Sequence, residues 1–218
     1  MSGYFISFEG SDGSGKTSVL KKIIAYLEQN NSKKKYLLTR EPGGNEISEK
    51  IRDLILDMNN TQMSAKTEAL LYAASRSQHL AQNIIPALEA GQLVLCDRFV
   101  DSSIVYQGQA RGLGMDTIKH LNEYATDGLG PDLTFYFDVT PEVGLSRINT
   151  GRSNEVNRLD KEDMSFYYDV RAAYQKLARQ NPKRIVTIDA NQSLDMVVKD
   201  VFDVLFARVP EFFKSEVN

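Results

Sequence analysis

Apolar positions in this chain repeat with two periods that alternate along its length. Tyr4-Phe5-Ile6-Ser7-Phe8 is rich in aromatic and β-branched residues and predicts a short strand. Val19, Leu20, Ile23, Ile24 and Leu27 then recur at three- and four-residue steps, which predicts a helix after Thr17. Tyr36-Leu37-Leu38-Thr39 predicts a second strand, and Glu46 to Asp57 a short helix with Ile47, Ile51, Leu54 and Ile55 on one side. Ser64 caps a long helix expected over about 65–90. Its apolar face is Leu70, Leu71, Ala74, Ile84, Ile85 and Leu88, Pro86 bends it, and Gly91 ends it. Leu93-Val94-Leu95-Cys96-Asp97 and Leu133-Thr134-Phe135-Tyr136-Phe137 predict a third and a fourth strand, separated by a helix over 116–127. A short helix over 143–148, a helix over 161–180, a strand over 184–188 and a closing helix over 194–209 complete the series. Strands alternating with helices imply one doubly wound parallel sheet of five strands, an α/β fold without a domain linker or internal repeat.

Between these elements lie three polar stretches. Asn30 to Lys35 reads as a solvated turn. Asp101-Ser102-Ser103 and Tyr106-Gln107-Gly108 follow the third strand and suit a pocket lining. Gly151 to Asp160 lacks apolar periodicity and carries Arg152 and Arg158, so a lid is expected at about 149–160.

Composition adds limits. The 218 residues suffice for one sizeable core, and with 42% hydrophobic and 25% charged residues the chain has an ordinary globular composition. A net charge of −3 argues against a dedicated nucleic-acid binder, which usually carries a basic excess. The single cysteine, Cys96, allows no intrachain disulfide and suits a reducing cytosol. The first strand begins without a preceding signal stretch, and no apolar run approaches the ~20 residues that span a bilayer. The expectation is a cytoplasmic enzyme with neither nucleic acid nor membrane as partner.

The chemistry centres on Gly10-Ser11-Asp12-Gly13-Ser14-Gly15-Lys16-Thr17, which fits G-x-x-x-x-G-K-[ST] between a predicted strand and a predicted helix. Such a loop turns backbone N–H groups onto an anion at a helix N-terminus. Lys16 adds a charge for the outer phosphates of a nucleotide, and Thr17 offers its hydroxyl to Mg²⁺. Asp97, delivered by a buried strand, suits the same ion. Arg40 ends the second strand, at the carboxyl edge where open parallel sheets bind ligands. Arg76 is either a ligand group or a solvated arginine on the long helix.

Two function classes then compete: an enzyme passing a phosphoryl group to a small acceptor, and a nucleotide-dependent switch. The guanine-reading Asn-Lys-x-Asp is missing from the sequence. Arg40, Arg76, Arg98, Arg147, Arg152 and Arg158 fall in or near the predicted ligand edge and lid, where a phosphate-bearing acceptor needs a clamp. The enzyme is favoured.

At this point the chain resembles the bacterial thymidylate kinase family over nearly its whole length. The shared pieces are Phe8-Glu9-Gly10 leading into the loop, Thr39-Arg40-Glu41-Pro42-Gly43-Gly44, Asp97-Arg98-Phe99, the two polar stretches after it, Pro131-Asp132-Leu133-Thr134, and Asn157-Arg158-Leu159-Asp160. Phe99 departs from the tyrosine or histidine common there. The resemblance implies the P-loop NTPase fold, with helices on both faces of the sheet, and ATP-dependent conversion of dTMP to dTDP with Mg²⁺. It implies that Gly10 to Thr17 and Ser18 hold ATP, and that Arg40 and Arg98 hold the dTMP phosphate. Asp12 would face the 3′-hydroxyl, Tyr72 stack on thymine, Arg76, Ser103 and Gln107 read its edge, and Tyr106 lie under the sugar. It also implies a homodimer packed through long helices. The rival is a kinase for another nucleotide or for a deoxynucleoside. Because Gly13 follows Asp12, the loop supplies no arginine to the transferring group. Arg152, Arg147 and Arg158 are the candidates for that charge, with Arg152 ranked first and Arg147 alternatively placed on adenine.

Overall fold

The structure is a computed structural model and describes residues 3–30, 35–151 and 163–213, without the side chains of 149–151. Five strands, β1 (Tyr4–Glu9), β2 (Tyr36–Arg40), β3 (Leu93–Asp97), β4 (Leu133–Asp138) and β5 (Ile185–Asp189), form one parallel sheet in the order β2-β3-β1-β4-β5. The three inner strands are buried almost throughout, whereas β2 and β5, at the edges, are partly exposed. That is the expected pattern when helices cover both faces.

Residue alternation on β1 divides the core. Ile6 and Phe8 face α1 (Lys16–Asn30) and pack with Val19, Ile23 and Leu27. Val201 and Leu205 of α9 (Leu194–Arg208) join the same cluster, and α10 (Pro210–Phe213) closes it with Phe213. Phe5 faces the other way, into a cluster with Leu80, Ile84 and Phe99. Ser7 and Glu9 share that second side and are fully buried, so two polar groups enter the interior there by strand register alone.

On this second side lie α2 (Glu46–Leu56), α3 (Ala65–His79) and α4 (Ile85–Glu89), followed by α5 (Val100–Ser103), α6 (Met115–Thr126) and α8 (Met164–Gln180) in chain order, whereas Val143 of α7 (Pro141–Gly151) packs against the α1 cluster. The helix expected over 65–90 is interrupted before Pro86 rather than at it. Residues Leu80–Ile84 form a π turn in which the Ile85 N–H reaches back to the Leu80 carbonyl. Pro86 then falls in the first turn of α4, where a missing N–H is tolerated. A second π turn, Ile104–Ala110, continues α5 through a stretch that the sequence pattern leaves without an element.

The predicted faces of α2 and α3 require correction. Ile55 is fully buried, but Ile47, Leu54 and Leu70 are each about half exposed. The inward residues of α3 are instead Glu68, Ala69, Ala73, Ser75, Arg76 and His79. The helix is polar inside because its inner face lines a polar pocket. The lid expected at about 149–160 falls largely on residues 152–162, outside the described residues. Arg152 and Arg158 lie there too.

Candidate active site

Every strand ends at one edge of the sheet, and register fixes which end residues are neighbours. Arg40 pairs with Asp97 across β2 and β3, and Phe8 pairs with Asp97 across β1 and β3. The glycine-rich loop leaves β1 one residue later and enters α1 at Lys16. No acidic residue occupies the first turn of α1, which leaves its positive end to an anion. Lys16 folds back over the loop, its Nζ donating to the carbonyls of Gly10 at 2.9 Å and Ser11 at 3.1 Å. Burial, with Arg98 adding to it, pushes the ammonium down to a pKa of about 8. Gly13 has φ +75°, and a Cβ there would stand 2.2 Å from the carbonyl oxygen of Gly144 in α7, so loop and helix meet backbone to backbone.

Thr17 and Asp97 border a common groove of about 580 Å³ between α1 and β2. Oδ1 of Asp97 is buried without a hydrogen-bond partner among the described residues. An orphaned carboxylate oxygen beside a hydroxyl suits a hard cation, so the two residues fit the Mg²⁺ that a nucleotide brings.

Next to the loop is a cavity of about 240 Å³. Asp12, Arg40, Arg52 and Arg98 are at its wall, as are Tyr72, Arg76, Ser103, Tyr106 and Gln107. All the acceptor residues expected from sequence therefore line one space. Arg98 donates to Asp12 Oδ1 at 3.0 Å and to Ser102 Oγ at 3.3 Å, and its guanidinium lies 5.3 Å from the Tyr106 ring centroid. Its φ is +67°, unusual for a residue with a side chain. Two bonds hold that turn: Arg98 N–H donates to the Phe8 carbonyl at 2.9 Å, and Phe99 N–H to Glu9 Oε1 at 2.7 Å. Glu9 also accepts from Ser102 Oγ at 2.5 Å and Tyr174 OH at 2.9 Å. Burial, reinforced by Asp101, raises its carboxyl to a pKa of about 7. Arg40 is held bidentately by Glu49, at 2.6 and 3.1 Å. Arg52 donates to the Pro42 carbonyl at 2.9 Å.

Arg76 is only 2% exposed, which removes the solvated reading. Its Nε donates to Glu41 Oε2 at 2.6 Å, Nη1 to Ser103 Oγ and Asn122 Oδ1, and Nη2 to the Phe99 carbonyl. Four of its five N–H groups are thus engaged. Behind Glu41, its Oε1 meets His79 Nδ1 at 3.0 Å, and His79 Nε2 meets Thr39 Oγ1 at 2.7 Å. Phe99 is buried edge-on against Phe5, ring centroids 5.0 Å apart, in an apolar setting that suits a ring without a hydroxyl.

Arg147 does not reach toward the acceptor cavity. Its guanidinium donates to the carbonyls of Ala190 at 2.7 Å and Gln192 at 3.2 Å, with Gly13 O at 3.5 Å. Glu9, Glu41, Glu49, Arg52, Glu68, His79 and Tyr174 were not singled out from the sequence as functional groups. Only the Glu9-Gly10 and Arg40-Glu41-Pro42 stretches held any local signal for two of them.

A phosphate-cradling loop on a doubly wound parallel sheet, facing an arginine-walled pocket, defines a P-loop phosphotransferase with a small anionic acceptor. Comparison with known proteins narrows this. Residues 8–201 match the thymidylate kinase family, and the chain belongs to it. It is 58% identical over 207 residues to the thymidylate kinase of Ligilactobacillus salivarius, covering 94% of this chain and 98% of that one. It is 54% identical over 199 residues to the thymidylate kinase of Clostridium novyi, covering 91% and 96% respectively. The crystal structure of thymidylate kinase from Ehrlichia chaffeensis superposes with a TM-score of 0.75 at 34% identity, over 94% of this chain and 99% of that one. The enzyme phosphorylates dTMP to dTDP, and a kinase for a different acceptor is not favoured.

Proposed function

We propose that dTMP occupies the 240 Å³ cavity with its phosphate toward Arg98, Arg40 and Arg52 and its base toward Arg76, Ser103 and Gln107. Tyr106 lies under the deoxyribose, Tyr72 stacks on thymine, and Asp12 faces the 3′-hydroxyl. ATP lies on the loop from Gly10 to Ser18, with Lys16 on its outer phosphates. Thr17 and Asp97 hold Mg²⁺, which supplies charge neutralisation to the nucleotide phosphates when bound. One observation carries the orientation. The cavity has three arginines at the loop end, whereas the arginine at its other end is buried and almost fully engaged by protein partners. Each arginine of the first group keeps at least three N–H groups outside its hydrogen bonds to the described residues, enough to meet a dianion; the second is fixed enough to read a planar edge.

Equilibrium binding tests this. Arg98→Met should weaken dTMP by about tenfold or more, in the range of a lost charged hydrogen bond, and leave thymidine nearly unchanged. Equal losses for both ligands would place the phosphate elsewhere.

With Arg147 engaged by three carbonyls, its reach suits the adenine side better than the transferring phosphoryl group. That leaves Arg152 and Arg158, in a lid at about 149–160 of a single kinase domain, as sources of transition-state charge. Single-turnover transfer in Arg152→Ala and Arg158→Ala, with dTMP affinity measured alongside, decides it: parental rates in both would end the lid-arginine reading.

Among the described residues no helix is long and apolar enough to cross a membrane. We infer a cytoplasmic homodimer, with the exposed Ile47, Leu54 and Leu70 of α2 and α3 covered by a second copy.

A further inference from the structure

We propose that Glu68 sets the base specificity of the pocket by locking the Gln107 side-chain amide in one orientation, a role that rests on Gln107 facing the base. Glu68 lies in the first turn of α3 and is 1% exposed; Gln107 lies in the π turn after α5 and is 2% exposed. Gln107 Nε2 donates to Glu68 Oε1 at 2.9 Å. Arg111 Nε stands 3.7 Å from that same oxygen, and the Arg111 guanidinium lies 5.4 Å from the Phe166 ring centroid.

A primary amide has two ends of nearly equal shape and opposite hydrogen-bonding sense. Which end faces a ligand is decided by what the other end meets. A carboxylate only accepts, so Glu68 takes the NH₂ end. The reversed amide would set two oxygens against each other in a buried site, with neither satisfied. Gln107 Oε1 therefore lies on the other side of the amide. It forms no hydrogen bond among the described residues, and Gln107 lines the cavity. The pocket thus carries a fixed acceptor next to the fixed donor Arg76.

That acceptor distinguishes pyrimidines at N3. Thymine and uracil carry N3–H there and can donate to it. Cytosine has a lone pair at N3, which would oppose the Gln107 oxygen. Without Glu68 the amide can rotate and present its NH₂ to that lone pair. Glu68 does not touch substrate; it is a positioning residue that acts through Gln107. Its place in the first turn of α3 also suits the helix dipole, a structural role that would alter stability and turnover for all acceptors alike.

The test compares kcat/KM for dUMP and dCMP, which share sugar, phosphate and an unmethylated ring, in the parent, Glu68→Gln and Gln107→Leu. Glu68→Gln is nearly isosteric, and its own amide can pair with either end of Gln107. The dUMP-to-dCMP ratio should narrow by about tenfold or more in Glu68→Gln, as for a hydrogen bond to a buried group. It should narrow at least as much in Gln107→Leu. A collapsed ratio in Gln107→Leu with a parental ratio in Glu68→Gln would overturn the proposal and leave the base-facing role of Gln107 standing. Parental ratios in both would overturn both. Hydrogen exchange of the Gln107 NH₂ protons in the parent, identified by their loss in Gln107→Leu, needs no change at Glu68. Protection should be the same without and with dTMP, because the NH₂ faces Glu68. Fast exchange that slows only when dTMP binds would mean that the NH₂ faces the ligand, and would overturn the proposal.

Discussion

Glu9 holds Phe99 by its backbone, through an N–H···Oε1 bond of 2.7 Å, and in doing so fixes the left-handed residue between Asp97 and Phe99, which is Arg98. Such a conformation costs a residue with a Cβ about 1–2 kcal/mol, so the turn needs this support. Glu9→Ala should lower stability by about 1–3 kcal/mol through the unsatisfied Phe99 N–H, and should raise KM for dTMP through a loosened Arg98. Urea denaturation with steady-state kinetics checks both; an unchanged KM would detach Glu9 from the phosphate end of the pocket.

The same carboxyl gives a pH signature. Burial and the neighbouring Asp101 raise its pKa from 4.5 to about 7. Between those values the folded chain holds a proton that the unfolded chain has lost. Its contribution to stability is therefore highest below pH 4.5, and it falls as pH rises to 7. Unfolding free energies of the parent and Glu9→Gln should diverge in favour of the glutamine form over this interval. The difference should be on the order of a few kcal/mol and level off above pH 7. A constant difference would place the titration elsewhere.

Lys16 is shifted the other way, down to about 8 by burial and by Arg98. Its charged form is costly in the free enzyme, and nucleotide phosphates would favour that form. ATP binding near pH 8 to 9 should take up a proton, and affinity should weaken as pH climbs further. Calorimetry in two buffers of different ionisation enthalpy measures the uptake. Lys16→Ala should bind without it and lose most turnover; normal activity in that folded variant would remove Lys16 from the chemistry.

Glu41 links Arg76 to His79 in a buried chain that ends at Thr39. Removing the carboxylate leaves an arginine buried beside neutral partners only. Glu41→Ala should cost about 3–5 kcal/mol, the range for breaking a buried ion pair. His79→Ala, which keeps the Arg76–Glu41 bond, should cost less than Glu41→Ala. The opposite ranking in thermal or urea unfolding would show that His79, not the ion pair, anchors this wall.

Leu54 and Leu70 bear on assembly. With both changed to glutamate, the exposed faces of α2 and α3 should no longer associate, and sedimentation should report the 24.5 kDa monomer. A parent that already sediments as a monomer would rule out the dimer.

What the sequence reveals and conceals follows from range. The phosphate loop is legible because its glycines, lysine and threonine fall within eight residues, and the inner strands because burial on both faces leaves short runs dominated by apolar residues. The walls of the acceptor pocket are less so. Glu68, Arg76 and His79 share the inward side of α3, yet periodicity alone assigns that side to Leu70 and Ala74, since it reads apolar as inward. Tyr174 acts on Glu9, 165 residues away, so no local spacing marks it; Glu49 reaches Arg40 across the Pro42-Gly43-Gly44 turn, and no helix or strand period spans that step. The π turn at Ile104–Ala110 alters the three-to-four-residue step on which helix reading depends, and that stretch carries Tyr106 and Gln107.

The pairing of Arg40 with Asp97, and of Asp97 with Phe8, has a metric consequence. Neighbouring strands are held about 4.8 Å apart by their hydrogen bonds. Arg40, Asp97 and Phe8, which lies just before the glycine-rich loop, therefore stand side by side at one level of three adjacent strands. Their separation is a repeat distance of the sheet, not a property of loops. A slip of β3 by one residue would turn its side chains to the opposite faces and take Asp97 out of its place between Arg40 and Phe8. Any chain that completes this ladder sets the spacing of these three residues at the same time.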